Sequence, residues 1–290
     1  MNKAAQGGDF WVVCISVRQV GRRLGVMVLI FVWLVSLVFA ATLPYWRSSV
    51  DVMGLGSVSI DPVYRGDSGK PLISLTVNVD WGQEVLPAML TTLRDWDVKV
   101  TFFVTGRWAK QYPDLVKQML KEGHEVGNHG MRHDHPKQLS DWDLTMLILD
   151  NHKLLISLVE NPAPLFAPPY GEVDRRIAAT ARALGYRTIM WTIDTIDWQE
   201  PSVETTVNRV LNKAQNGGIV LMHPKPNTIK ALPQIIEGLR RKGYQLLPVG
   251  KLLNEMDNKD TPSEPTNQST LRYTGSLRQA DSLPATTCHI

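Results

Sequence analysis

Short apolar runs rich in β-branched residues alternate with amphipathic, helix-length segments between residues 71 and 252, and this alternation constrains the fold most strongly. Buried strands are predicted at 71–79, 99–104, 125–126, 188–193, 218–222 and 245–247. Helices are predicted at 85–96, 112–122, 175–184, 202–214 and 229–242, with a long helix after Ser140 and a proline-rich loop at 161–171. Strands that alternate with helices imply an α/β fold whose parallel sheet is closed or nearly closed into a barrel.

Polar side chains follow several of these predicted strands. Asp80, His129, Asp194 and His223 all fall where a strand ends. Because active sites of such folds gather at the C-terminal ends of the strands, we expect these four residues to belong to one site.

A histidine-rich segment, 123–135, holds four of the seven histidines of the chain within twelve positions. His129 and His133 are four residues apart, so on a helical turn both rings project from one face and can share a metal ion. His124 and Glu125 begin like the H-E-x-x-H motif of zinc proteases, but the next histidine is five residues on and would point away. The alternative is a polar loop whose histidines only bond the backbone.

The N-terminal region contains twenty uncharged, mostly apolar residues, 24–43, preceded by Arg18, Arg22 and Arg23. Such a stretch can span a bilayer of about 30 Å, and the arginines place the N-terminus in the cytoplasm. A cleaved signal peptide is the alternative, because residues 38–40 could form a cleavage site, although the run exceeds the usual apolar region of such peptides.

The chain is therefore predicted to divide into a cytoplasmic segment (1–23), one transmembrane anchor (24–43), a linker (44–70), a globular domain (71–252) and a disordered polar tail (253–290). The domain is expected outside the cytoplasmic membrane, attached through the anchor, or secreted if the segment is cleaved.

Composition narrows the possible partners. The 290 residues are 43% hydrophobic and 20% charged, which suits a globular domain. The net charge of +3 is small and the basic excess lies near the N-terminus, so no nucleic-acid partner is expected. Cys14 and Cys288 lie at opposite ends, which argues against a disulfide framework or a cysteine metal site.

The strand-end residues, taken in order, resemble those of the NodB-like polysaccharide deacetylases, carbohydrate esterase family four. They are Asn78 and Asp80, His129 and His133, residues 167–170, Asp194 and Asp197, and His223. The resemblance covers about residues 71–252 and includes TFFVTGRWA, GHEVGNHG, WTIDTIDW and GGIVLMHP. It implies a distorted (β/α) barrel, and within the family it is most similar to sporulation-associated proteins of endospore-forming bacteria.

The resemblance also implies a chemistry: removal of N-acetyl groups from a cell-wall glycan of the peptidoglycan or chitooligosaccharide type. It implies a divalent metal, usually zinc, with cobalt or nickel as alternatives, held by one aspartate and two histidines. His129 and His133 match the metal histidines, and Asp80 is the best carboxylate for the third position. Two histidines and a carboxylate would also suit non-haem iron oxygenases, which the acid-side residues make a poorer match.

Amide hydrolysis further needs oxyanion donors and an acid for the leaving amine. By resemblance His223 matches the general acid and Asp194 the carboxylate that orients it; a structural His–Asp hydrogen bond is the alternative. The backbone N–H of Tyr170 matches an oxyanion donor, and Asp197 could simply bond the next loop. Groove-lining positions that could equally be core are Pro169, Trp198 and Leu221.

Two positions depart from the family pattern. The first motif, usually T-F-D-D-G, reads T-V-N-V-D-W-G, so Asn78 occupies the base position, with a register ambiguous by one residue. An amide cannot take a proton at neutral pH. Ala167 replaces the arginine that normally pairs with the base aspartate; losing both partners avoids an uncompensated buried charge.

Three functions remain open from the sequence. The first is a deacetylase in which Asp80 or metal-bound hydroxide replaces the base, since general-base catalysis contributes only about 10²–10⁴-fold. The second is a metal-containing, glycan-binding pseudoenzyme. The third is a membrane-tethered scaffold.

Overall fold

The computed structural model describes residues 60–260 and, in the N-terminal region, the helical residues Phe31, Trp33, Leu34 and Ser36. Among these residues no helix is long and apolar enough to cross a membrane. The predicted cytoplasmic segment, most of the predicted anchor and the predicted tail after residue 260 lie outside the described residues.

Eight strands form one parallel sheet. They are β1 (Leu72–Val79), β2 (Thr101–Val104), β3 (Glu125–Asn128), β4 (Leu165–Phe166), β5 (Arg187–Thr188), β6 (Ile193–Asp194), β7 (Gly218–Met222) and β8 (Gln245–Leu246). Their order is β5-β4-β3-β2-β1-β7-β6, and β8 pairs with the start of β1. All eight residues of β1 are buried, as expected for a strand at the centre of a parallel sheet, although Ser74, Thr76 and Asn78 alternate with its apolar residues.

Eight α-helices accompany these strands within residues 60–260. They are α1 (Leu86–Asp95), α2 (Gly106–Gln111), α3 (Pro113–Lys121), α4 (Asp141–Leu158), α5 (Arg175–Ala183), α6 (Val203–Lys213), α7 (Pro226–Arg241) and α8 (Val249–Asp260). Ser140 caps α4 as the sequence predicts, because its hydroxyl accepts the N–H of Asp143 at 3.1 Å. Side-chain caps from Asp174 and Ser202 begin α5 and α6 in the same way.

The two faces of the sheet carry separate apolar clusters. On one face Phe102 packs with Leu90 of α1 and Ile235 of α7. On the other face Phe103 packs in a cluster that includes Leu252 of α8. The sheet is therefore covered on both sides, and the second cluster occupies the face that also carries Asn78, the register partner of Phe103.

The sheet is a half-barrel that curls almost to closure. β5 pairs with β4 at one end of the strand order, and β6 pairs with β7 at the other. The predicted strand 188–193 is consequently two strands, and only residues 189–192 connect the two ends of the sheet. Val63 pairs with this connecting segment through two backbone hydrogen bonds of 2.8 Å. Its carbonyl oxygen accepts the N–H of Met190, and its N–H donates to the carbonyl oxygen of Thr188.

The compact domain is longer than the predicted 71–252. Residues 60–70, predicted as linker, pair with the sheet through the Val63 bridge and through Gly66 N–H, which donates to Gly217 O at 2.8 Å. At the other end α8 continues to Asp260, so the tail predicted from residue 253 begins within a helix. Leu253, the first residue of the predicted tail, is buried in the second apolar cluster.

Two short elements were not predicted. α2 follows β2 directly, and β4 lies within the proline-rich segment predicted as a loop. Both are too short for a periodic pattern: α2 has six residues and β4 has two. Both nevertheless position residues of the site described next.

Candidate functional site

The carboxyl ends of the central strands surround a cavity of about 450 Å³. Its lining consists of Asn78, Asp80, Trp81, His129, His133, Tyr170, Gly171, Trp191, Asp194, Trp198, Leu221 and His223. The structure thus brings together the residues that the sequence assigned to the site, apart from Pro169 and Ala167, which are buried and do not line the cavity. Trp81 and Trp191 were not predicted to line the cavity, because a tryptophan beside a strand end is equally typical of a hydrophobic core.

His129 follows β3 and is held in a fixed orientation. Its Nδ1 lies 2.7 Å from the carbonyl oxygen of Ala167, so Nδ1 carries the proton and Nε2 keeps its lone pair. Burial, with a smaller contribution from His133, lowers the pKa of His129 to about 3, so the ring is neutral at physiological pH. Ala167 therefore serves this site through its backbone.

His133 stands close to His129, although not on a helix. The two ring centroids are 5.1 Å apart, and the segment between them is a bend in which Gly130 has a φ of +80°. The loop is fixed by Asn128, whose Oδ1 accepts the N–H of Gly130 at 2.7 Å. Burial is the main cause that lowers the pKa of His133. The predicted pair is thus brought together by a loop rather than by a helical turn.

Asp80 is held by a cation that the sequence analysis did not identify. Arg107, in the first turn of α2, donates from Nε to Asp80 Oδ1 at 2.6 Å and from a terminal nitrogen to Oδ2. Thr105 adds a hydrogen bond from its hydroxyl to Oδ1 at 2.7 Å. The hydrogen bond with Asp80 raises the pKa of Arg107. The sequence signal for this pair was an arginine three residues after a strand end.

The residues present fit the implied metal only in part. His129 and His133 offer neutral imidazoles, but the carboxylate of Asp80 is occupied by Arg107 and Thr105. Within residues 60–260 no group of three histidine, cysteine, aspartate or glutamate side chains is placed to hold a metal ion. Asp80, His129 and His133 therefore line one cavity, but among the described residues they do not form the predicted three-ligand set.

The acid side of the site is built around Asp197 instead of Asp194. Asp197 Oδ1 lies 2.7 Å from His223 Nδ1, and its Oδ2 accepts the backbone N–H of His223 and the hydroxyl of Thr228, both at 2.7 Å. Burial opposes the charge, but the hydrogen bonds from His223 and Thr228 outweigh it and lower the pKa of Asp197. An ionised Asp197 therefore orients His223.

Asp194 has a different role from the predicted one. Its Oδ1 accepts the N–H of Ile196 at 2.8 Å, which stabilises the turn after β6. Ile196 has a φ of +52°, and this left-handed residue redirects the chain so that Asp197 is buried against His223. The carboxylate that orients His223 is thus three residues further along the motif than predicted.

Asn78 lies on β1 and is buried, with only 6% of the residue exposed. Its Oδ1 has no hydrogen-bond partner among the described residues. A buried amide oxygen without a donor is costly, so this atom is a candidate acceptor for a ligand donor in the cavity.

Aromatic side chains form the rim of the cavity. Trp81 stacks on His223 with 5.9 Å between ring centroids, and the ammonium of Lys225 lies 4.7 Å from the Trp81 ring. Tyr170 stacks on His135 at 3.8 Å. Tyr170 and Trp198 are each more than half exposed. Such exposed flat faces suit the apolar faces of sugar rings.

A parallel half-barrel with histidines and carboxylates at its carboxyl edge is typical of the NodB-like α/β fold. A family model described as polysaccharide deacetylase matches residues 65–189. The chain is 38% identical over 192 residues to a peptidoglycan-N-acetylglucosamine deacetylase of Bacillus cereus, covering 64% of this chain and 90% of that protein. The chain belongs to the polysaccharide deacetylase family, which confirms the resemblance. Deacetylases of this family are metal-dependent hydrolases of carbon–nitrogen bonds other than peptide bonds.

Two further Bacillus proteins are similar to this chain. An uncharacterized Bacillus subtilis protein, YlxY, is 35% identical over 201 residues; the match covers 69% of this chain and 63% of YlxY. The crystal structure of BA3943 from Bacillus anthracis, described as a pseudoenzyme of carbohydrate esterase family four, matches with a TM-score of 0.67 at 37% identity, covering 68% of this chain and 70% of that one. A mutant of BA3943 with restored enzymatic activity matches equally well, at 36% identity.

Proposed function

We propose that this domain binds N-acetylated cell-wall glycan in the cavity at the carboxyl edge of the sheet and that its deacetylation is strongly impaired. The observation that carries the proposal is the unpartnered Oδ1 of Asn78, which is buried on the cavity wall. The amide N–H of an N-acetyl group would supply the missing donor. The aromatic rim would hold the sugar rings beside it.

Impaired catalysis is supported from two directions. Asn78 is no base, and the carboxylate two residues on, Asp80, is held by Arg107. The chain is also similar to a Bacillus anthracis protein described as a pseudoenzyme. We assign no catalytic role to zinc, or to cobalt or nickel in its place, because Arg107 and Thr105 already bind the carboxylate of Asp80.

A slow deacetylase is the second candidate. It is supported by the pairing of His223 with Asp197, which keeps an oriented imidazole at the place that an acid for the leaving amine requires. The similarity to the Bacillus cereus peptidoglycan deacetylase favours the same class of substrate. In this case His223→Ala abolishes the residual acetate release.

We also propose that residues 24–43 anchor the chain as a single-pass membrane protein with this domain on the extracytoplasmic side, where cell-wall glycan is found. The proposal is supported by the charge-free apolar run and the arginines before it. A sporulation role is supported only by the resemblance to proteins of endospore-forming bacteria.

The decisive experiment measures binding and turnover on the same preparation. Calorimetry should show that the full chain binds the N-acetylglucosamine tetramer and prefers it to the deacetylated glucosamine tetramer. Acetate release should stay far below that of an active deacetylase of the family. Asn78→Leu should weaken binding about tenfold, the effect of one lost hydrogen bond.

Asn227→Leu is the matched control, because this side chain bonds Pro201 O and does not line the cavity. It should leave binding unchanged. Equal affinity for the two tetramers would contradict the binding proposal, and rapid acetate release would replace it with the second candidate.

A further inference from the structure

Arg107 contacts the carboxylate that the sequence predicts as the third metal ligand, Asp80. Its guanidinium donates one hydrogen bond to each carboxylate oxygen of Asp80, which is the bidentate geometry of a strong arginine–carboxylate ion pair. The Asp80 side chain is only 9% exposed, so its charge needs a partner. Arg107 supplies that partner from the protein itself.

We infer that Arg107 is a built-in cation that holds Asp80 away from a metal ion, leaving His129 and His133 as an incomplete two-ligand site. The inference rests on the contacts of Asp80 and does not depend on glycan binding. It assigns to α2 a role in suppressing metal affinity.

The backbone fixes Arg107 relative to the two histidines. Its N–H donates to Met131 O at 2.8 Å, and the N–H of Gly106 donates to Gly130 O at 3.0 Å. A Cβ on Gly106 would lie 2.3 Å from the sulfur of Met131, so helix and loop approach as closely as a glycine allows. The first turn of α2 and the histidine loop are therefore one unit, and Arg107 is directed at Asp80 by this contact.

The competition follows from charge. A divalent ion bound by Asp80 and the two histidines would lie within a few ångströms of the guanidinium, and two cations that close repel each other strongly where water is partly excluded. The Arg107 side chain is 53% exposed, so it can withdraw into water when its partner is taken. Metal binding then has to replace the Arg107 contacts before Asp80 can contribute.

The test is zinc affinity, measured by competition with a chromophoric chelator on the full chain. Arg107→Gln frees Asp80, and we expect it to bind zinc about 10- to 100-fold more tightly than the natural chain, an effect as large as the one that supporting partners of metal ligands have in the opposite direction. Asp80→Asn combined with Arg107→Gln should return the affinity to the natural level. With cobalt, only Arg107→Gln should gain the absorption of a protein-bound ion.

Arg132→Gln is the matched control, because Arg132 lies in the histidine loop but pairs with Asp134. It should leave zinc affinity unchanged. Arg107→Lys keeps the positive charge but loses the bidentate hydrogen bonds, so it should give an intermediate zinc affinity. This variant replaces Arg107→Gln in the test if Arg107→Gln does not fold. Tight zinc binding by the natural chain, or equal affinity in the natural chain and both Arg107 variants, would overturn the inference. Either result leaves the glycan-binding test unaffected.

Discussion

Asn78 and Asp80 lie two residues apart on the edge of the cavity, yet their surroundings are opposite. Asp80 accepts hydrogen bonds from Arg107 and Thr105, whereas Asn78 Oδ1 has no donor among the described residues. The carboxylate of Asp80 thus has hydrogen-bond donors, whereas the neutral amide oxygen of Asn78 beside it has none among the described residues. This division suits recognition of a neutral amide or hydroxyl better than activation of water.

At the residue scale, the buried histidines predict a dependence of stability on pH. Burial lowers the pKa of His129 to about 3 and that of His124 to about 4. Because the unfolded rings titrate near 6.5, the unfolded chain binds more protons below that pH, so the stabilisation is complete above about pH 6.5 and is lost as pH falls towards 4. Urea unfolding at pH 7 and pH 5 should show a loss of about 2–4 kcal/mol in the free energy of unfolding.

His124→Asn should make this loss smaller, because one of the two buried rings is removed. The asparagine amide oxygen can still accept the N–H of Val100, which His124 Nδ1 accepts at 3.2 Å. An unchanged difference between the two pH values would contradict the assignment of the effect to these rings.

Asp197 and Asp194 provide a second prediction at this scale. The buried carboxylate of Asp197 accepts three hydrogen bonds, and in Asp197→Asn one of its oxygens becomes an NH₂ group that cannot accept them. We therefore expect a loss of about 2–3 kcal/mol in the free energy of unfolding. Asp194→Asn keeps an amide oxygen for the N–H of Ile196 and should cost less than about 1 kcal/mol. Urea denaturation of both variants checks this, and equal losses would mean that Asp197 is not the main partner of His223.

At the scale of elements, α4 joins the ends of two strands to the histidine loop. Asn151 is fully buried on this helix and donates to Val104 O at 2.9 Å and to Asn128 Oδ1 at 2.8 Å. Leu147 O on the same helix accepts the N–H of Met131 at 2.6 Å. The helix therefore fixes the positions of β2, β3 and the loop after them.

Asn151→Ala should consequently destabilise the domain by about 2 kcal/mol and loosen the loop, because buried acceptors lose their donor. Amide hydrogen exchange should accelerate at Gly130 and Met131 before it does in β1. Ser157→Ala, on an exposed turn of the same helix, should change stability by less than about 0.5 kcal/mol. Unchanged exchange at the loop would show that α4 does not hold it in place.

At the scale of the whole domain, its N-terminal segment and its C-terminal helix both pack against the half-barrel. Residues 60–70 bridge the gap beside residues 189–192, and α8 covers the second apolar cluster with Val249, Leu252 and Leu253. Removing either segment would expose apolar surface of the sheet to water, at about 25 cal/mol per Å².

A fragment of residues 60–260 should therefore fold, whereas residues 71–252 should melt at least about 5 °C lower, since each kcal/mol shifts the midpoint of a domain of this size by about 2–4 °C. Circular dichroism during heating measures both midpoints. Equal midpoints would mean that the added segments contribute nothing to the domain.

Much of this architecture was determined by the sequence itself. The strand at 218–222 and the cap at Ser140 were predicted correctly because strand pattern and helix caps depend on residues close in the chain. The collection of site residues at one edge was also predictable, since a parallel sheet places all strand ends on the same side.

Only the tertiary structure decided which polar groups pair. Arg107 meets Asp80 across 27 residues, and Asp197 meets His223 across 26, so no local pattern could distinguish Asp197 from Asp194 or identify the arginine. The splitting of the strand at 188–193 has the same origin, because it depends on how far the sheet curls. Local residues specify elements, whereas contacts between distant residues specify which charges are neutralised and which acceptors stay open.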